Sequence, residues 1–98
     1  MRGKVTRKSK YWVYIVQCRD GTYYTGYTND LKSRVALHNN GNGAKYLRRK
    51  LPVELVYAKE YRYYKNALRS ERNIKKLTRE QKERLIRIYE TNNQCNCT

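Results

Sequence analysis

The sequence predicts a small α+β domain, with a three-stranded antiparallel sheet flanked by helices. Three observations carry this. Tyr11 to Cys18 (YWVYIVQC) is aromatic and β-branched and apolar on both alternating faces, as a central strand covered on both sides would be. Arg19-Asp20-Gly21 then breaks the run and Thr22-Tyr23-Tyr24-Thr25 resumes a strand pattern, which signals a hairpin. After a third, alternating segment, apolar residues recur at helical spacing. The order is strand, strand, helix, strand, helix, helix, and 98 residues hold one core and no separate recognition module.

The length of the hairpin loop decides which side chains share a face. A two-residue turn on Asp20-Gly21 pairs positions that sum to 41 and puts Tyr14 and Tyr24 on opposite faces. A three-residue loop from Arg19 to Gly21, with Gly21 left-handed, pairs positions that sum to 40 and puts both on one face. Asp-Gly suits the first and a third-position glycine the second; the second is adopted because the chemistry considered below needs both phenols together. Asn29 or Asp30 can cap a helix from Leu31 to about Asn40, ended by Gly41 and Gly43. A basic loop, Ala44 to Lys50, is stopped by Pro52, and Val53 to Tyr61 alternates as the third strand. Tyr64 to Leu77 reads as the second helix. Thr78 with Gln81 forms a capping box for a third reaching about Glu90, whose stripe of Lys82, Leu85, Ile86 and Tyr89 covers the core.

Residues 1–10 make a basic arm, 11–90 the domain, and 91–98 a polar, Asn-rich tail expected to fray. With eleven tyrosines, one tryptophan and no phenylalanine, the core carries hydroxyls that need hydrogen-bond partners. Twenty-three Lys and Arg against eight Asp and Glu give a net charge of +15. Such a surface repels itself yet draws polyanions by counterion release, whereas solubility alone needs a net charge of only about 2 to 8. Nucleic acid is the expected partner, ahead of anionic lipid. A membrane reading lacks support, because no apolar run approaches the roughly 20 residues that span a bilayer. Cys18, Cys95 and Cys97 are odd in number without paired zinc spacing, and Met1 to Lys10 leads into no signal-peptide core. A reduced, cytoplasmic protein is expected.

Helical spacing puts polar residues where apolar ones belong. At about 100° per residue, Arg34 and His38 share the edge of the inward stripe begun by Leu31. Arg34 could lay its stem on the core and its head in water, and His38, the only histidine, could be a buried structural one. In the second helix Ala67, Leu68, Ile74 and Leu77 define an apolar arc, and Glu71 falls inside it. A carboxylate there must pair with Arg or Lys, coordinate a metal, or line a groove.

Phosphodiester cleavage asks for such a set. A divalent ion lowers the pKa of an attacking water, and Mg²⁺ needs only one or two carboxylates, with substrate phosphate and water completing its sphere. A guanidinium meets the charge growing on the phosphoryl oxygens. A phenol, a poor base at its ordinary pKa, becomes usable beside a metal or several cations. Tyr, Arg, His and Glu suffice.

Tyr11 to Gly41, followed by Ala44 to Tyr61 and Ala67 to Leu77, resembles the GIY-YIG endonuclease superfamily and, within it, the small single-domain bacterial members. Trp12-Val13-Tyr14 stands at the first signature triplet and Tyr24-Thr25-Gly26 at the second; Arg34, His38 and a helical Glu71 follow in order. The resemblance implies one divalent ion, Mg²⁺ or Mn²⁺, and hydrolysis of one DNA strand. It implies that Glu71 binds the metal and that Arg34 steadies the transition-state phosphate. Tyr24 and Tyr14 orient or deprotonate the water, with Tyr24 favoured as base, and His38 assists at the phosphate or in proton transfer. The segment with Lys45, Arg48, Arg49 and Lys50 would track the DNA backbone; it would equally serve as a solvated loop. Departures are Trp12 for a glycine, Thr25 for an isoleucine, and Tyr27 where some repair relatives carry lysine. Asn73 stands too close to Glu71 to match an asparagine that some members place after the glutamate, and faces elsewhere on the helix.

The function expected is a metal-dependent DNA endonuclease of low sequence specificity, selective for DNA shape, acting in repair or recombination. The alternative is a non-catalytic nucleic-acid-binding module that uses its aromatics for stacking. A third reading is an interaction protein that is basic because its partner is acidic.

Overall fold

The computed structural model describes the backbone of residues 10–96 and the side chains of residues 10–92. The chain runs β1 (Tyr11–Gln17), β2 (Tyr23–Thr28), α1 (Leu31–Asn39), one 3-10 turn (Lys45–Leu47), β3 (Glu54–Tyr61), α2 (Tyr64–Lys75) and α3 (Arg79–Asn96). The sheet order is β2-β1-β3, both pairings antiparallel. Central β1 is covered on both faces, as its unbroken apolar pattern predicts. Val13 and Ile15 are packed with Tyr57, Ala67, Ile74 and Ile86 under α2 and α3. Tyr14, Val16 and Cys18 pack on the other side with Leu47 and Val53, where Leu31 of α1 also contributes. Burial of each large aliphatic side chain contributes about 1.5–3 kcal/mol.

The hairpin takes the three-residue loop. Tyr14 lies opposite Gly26 and Val16 opposite Tyr24, so Tyr14 and Tyr24 share a face. Cys18 N–H donates to the Thr22 carbonyl at 2.8 Å and Gly21 N–H to the Cys18 carbonyl at 2.9 Å. Gly21 has φ +90°, a conformation glycine adopts without steric cost. Asp20 closes the loop by accepting from the Thr22 amide (3.1 Å) and hydroxyl (2.6 Å).

Most boundaries fall within two residues of expectation, and two differ by more. β2 continues to Thr28, three residues past Thr25, because β1 offers partners as far back as Trp12. α3 continues through Thr91 to Asn96, over most of the segment expected to fray. No Gly or Pro follows Glu90 to stop it, and propagating a helix costs far less than nucleating one. The side chains of Cys95 and Cys97, and the basic arm before Lys10, lie outside the described residues.

Caps fall where the sequence places them. Asp30 is the N-cap of α1, its carboxylate accepting from Ser33 N at 3.2 Å. Thr78 and Gln81 bond reciprocally, at 2.9 and 3.2 Å, ahead of α3. The Asn39 side chain brackets Val53, accepting from its amide (2.7 Å) and donating to its carbonyl (3.2 Å), which ties the end of α1 to the start of β3. Among the described residues no helix is long and apolar enough to cross a membrane.

Candidate active site

A cavity of about 400 Å³ opens beside β2, and Tyr14, Tyr24, Gly26, Arg34 and Glu71 all line it. Tyr14, Tyr24 and Gly26 come from the sheet face turned to α1, whereas Glu71 comes from α2 on the opposite face. The cavity therefore wraps the edge strand. Tyr11, Tyr27, Thr28 and Asn29 complete the wall.

Tyr14 is 2% exposed and reaches the cavity with its phenol end. Its position depends on Gly26 directly opposite: a Cβ there would stand 2.6 Å from Tyr14 Oη and 2.8 Å from Cζ. The third residue of the second signature triplet is thus glycine because a buried ring occupies the space. Gly26→Ala is expected to displace the Tyr14 ring and cost about 1–3 kcal/mol, read by chemical denaturation. Burial raises the Tyr14 pKa well above that of an ordinary phenol, and the neighbouring Tyr24 raises it further, with Arg34 pulling the other way. Arg34 thus lowers the Tyr14 pKa by less than burial raises it.

His38 is the one residue of α1 that is fully buried, at 2% exposure, and it stands one layer behind the cavity rather than in its wall. Its Nε2 is 2.8 Å from Tyr14 Oη, and its Nδ1 is 3.2 Å from the Ala44 amide nitrogen. The Tyr24 ring meets it edge-on with centroids 5.8 Å apart. Burial, then Arg34, lowers its pKa, which favours the neutral ring. Of the residues expected at the site, His38 is the one that meets the cavity only through Tyr14.

Glu71 lies on the buried face of α2 with Ala67 and Ile74, as the arc predicts. Two of the three options open to it hold together: its carboxylate lines the cavity and also meets Lys75 Nζ, one turn on, at 3.4 Å. Lys75 is half exposed, so this pair is a weak one. Arg34 is half-buried and reaches the same cavity from α1. Among the described residues no group of three or more His, Cys, Asp or Glu could hold a metal. An ion here would rest on Glu71, with water and phosphate oxygens for the remainder, a donor set that Mg²⁺ accepts.

The basic segment stands next to the site but is not uniform. Leu47, 1% exposed, anchors it, and Lys45, Arg48 and Arg49 project into solvent. Lys50 turns inward and straps the segment to the hairpin through Asp20 (3.1 Å) and Thr22 Oγ1 (3.3 Å), and bonds Tyr46 Oη within the segment (3.0 Å). Its ammonium is thereby committed within the chain, whereas the other three have no side-chain partner among the described residues.

Sequence reasoning missed Tyr46, Gly43 and Ala44. Tyr46 stacks on Tyr24 with centroids 6.1 Å apart and planes at 23°, and a Cβ on Gly43 would collide with His38 Nδ1. Nothing in the spacing announces these contacts, which cross from the loop to the helix and the sheet. Of the departures from the signature, Trp12 is half-buried between Thr28 and Glu60, and Asn73 is exposed. Thr25 is 4% exposed, and its Oγ1 has no hydrogen-bond partner among the described residues. Its shape rather than its hydroxyl serves the fold, and Thr25→Val is expected to raise stability by about 1–2 kcal/mol in a thermal melt.

Comparison with known proteins agrees with this geometry. The chain matches the family described as "GIY-YIG catalytic domain" over residues 10–84. It is 52% identical to a UPF0213 protein of Staphylococcus epidermidis over 77 residues, covering 79% of this chain and 94% of that one. A UPF0213 protein of Halobacterium salinarum is likewise 52% identical over 74 residues, 76% of this chain and 96% of that one. The solution structure of the UPF0213 protein from Bacillus halodurans superposes with a TM-score of 0.55 at 40% identity, covering 81% and 84% of the two chains. A solution structure from E. faecalis gives 0.59 at 34% identity, covering 89% and 93%. With Tyr14 of the first signature triplet opposite Gly26 of the second and its late glutamate turned to the same cavity, the chain belongs to the GIY-YIG nuclease superfamily, among the small single-domain members.

Proposed function

We propose that this protein is a metal-dependent endonuclease that hydrolyses DNA phosphodiester bonds with little sequence preference. The observation that carries the proposal is the convergence of Tyr14, Tyr24, Arg34 and Glu71, from two strands and two helices, on one cavity. Glu71 holds the divalent ion, Mg²⁺ or Mn²⁺, which when bound lowers the pKa of water and offsets phosphate charge. Arg34 presents its fork to the phosphoryl oxygens as charge builds there. Tyr24, stacked on Tyr46, orients and deprotonates the attacking water, and Tyr14 orients it from the same sheet face. His38 acts through Tyr14.

Lys45, Arg48 and Arg49 track the DNA backbone, and Lys50 holds their loop in place. Backbone contacts fix position, not sequence, so selectivity lies in DNA shape. The net charge of +15 supplies the attraction. Each of Lys45→Ala, Arg48→Ala and Arg49→Ala is expected to reduce the slope of log affinity against log salt by about 1. Lys50→Ala is expected to loosen the loop, visible as faster amide exchange over residues 44–50. The odd cysteine count, with Cys18 buried and free among the described residues, fits a reducing cytoplasm, and repair or recombination is the setting proposed.

The test is incubation with labelled duplex, branched and single-stranded DNA, with Mg²⁺ or Mn²⁺ and with chelator. Metal-dependent cutting is expected. Salt-sensitive binding with no cutting of any substrate would favour the non-catalytic binding module.

A further inference from the structure

Tyr14 and Tyr24 carry the same phenol, and His38 makes them different. The Ala44 backbone N–H points at His38 Nδ1, 3.2 Å away. A backbone amide can only donate, so Nδ1 must be the unprotonated acceptor. The proton of the neutral ring is then on Nε2, 2.8 Å from Tyr14 Oη, and the phenol oxygen accepts that bond. The other tautomer would set two N–H groups face to face and leave the Ala44 amide without an acceptor. Gly43, where a side chain would strike the same ring nitrogen, lets the backbone come this close.

A phenol that accepts from Nε2–H turns its own proton elsewhere, and the open side of Tyr14 is the cavity. We infer that His38 is a positioning residue whose tautomer, set by the Ala44 amide, makes Tyr14 a hydrogen-bond donor into the cavity and leaves proton abstraction to Tyr24. What Tyr14 donates to, the reacting phosphate or its attacking water, rests on the nuclease reading; the tautomer does not. Gly43-Ala44 leads straight into Lys45, so the loop assigned to the DNA backbone also sets the polarity of Tyr14.

His38 is the only histidine, so two-bond ¹H–¹⁵N correlations of its ring report the tautomer without DNA or metal. A protonated Nε2 and a bare Nδ1 at neutral pH are expected. A proton on Nδ1, in either the neutral or the charged ring, overturns the inference. In cleavage assays Tyr14→Phe and His38→Leu are each expected to lose about 100-fold in kcat with KM unchanged. The double variant is expected to be no worse than Tyr14→Phe alone, because the two act as one unit. His38→Gln, whose amide still donates, should recover most of the rate. Additive losses, or no recovery with Gln while its melting curve stays native, would show that His38 does not work through Tyr14. If His38→Leu does not fold, the Gln variant and the wild-type ring spectrum decide the matter. Absence of any cleavage defeats the nuclease reading, and the ring spectrum still decides the tautomer.

Discussion

Glu71→Ala is expected to abolish DNA cleavage, by at least about 10³-fold in kcat, while the affinity for DNA hardly changes. The magnitude follows from the several kcal/mol of transition-state charge stabilisation a divalent ion supplies, at 1.36 kcal/mol per tenfold in rate. Binding survives because it is carried by surplus positive charge elsewhere on the surface. Stability supplies a second, independent readout. Glu71 stands on an otherwise apolar face between Ala67 and Ile74 and, among the described residues, pairs only with Lys75, which is half exposed, at 3.4 Å. Removing a carboxylate so placed is expected to leave the melting temperature unchanged or to raise it, the pattern of a residue kept for activity at some expense of stability. A purely structural salt bridge predicts the reverse: Lys75→Ala and Glu71→Ala would be equally mild in activity and equally destabilising. Metal-dependent cutting that persists in Glu71→Ala removes Glu71 from the site altogether.

Arg34→Ala is expected to lower kcat by about 10²–10³-fold, the loss seen when one preorganised donor to a developing oxyanion is removed. Arg34→Lys should restore little of it, because a point charge cannot meet two phosphoryl oxygens as the planar fork does. Arg34 is the cavity's only cationic wall residue among those described, so no neighbour substitutes for it. Affinity should fall modestly, with the salt slope changing by about 1 for a single phosphate contact. Single-turnover rates at saturating protein separate the two effects. A variant whose rate constant is intact and whose affinity alone has dropped would reassign Arg34 to ground-state binding.

Local patterns were enough for much of this protein. Central β1 was legible because a strand buried on both faces cannot alternate, and Tyr11 to Cys18 does not. Glu71 was legible as an anomaly because helical spacing is rigid: a charge between Ala67 and Ile74 has to face inward whatever surrounds the helix. The Thr78–Gln81 box and the Asp30 cap depend on neighbours within three residues, so they too can be read along the chain. The extent of α3 could not, since helix ends are set by weak competition and no breaking residue marks this one.

The site was legible in its residue types but not in its shape. Side-chain alternation left two hairpin registers open, and tertiary pairing selected the one that joins Tyr14 to Tyr24. That Glu71 meets them around the edge strand follows from how α2 seats on the sheet, a long-range contact with no sequence period. His38 is the clearest case. Its spacing from Arg34 placed it at the edge of the inward stripe and left a buried structural role open, and the Ala44 amide and the gap at Gly43 fix it one layer behind the cavity wall. The sequence by itself determined the strands, the helix faces and the kit of reactive groups, because these depend on neighbours a few residues apart. Only the tertiary structure decided which groups touch the cavity and which stand behind it, because that depends on hydrogen bonds between segments whose meeting no local periodicity encodes.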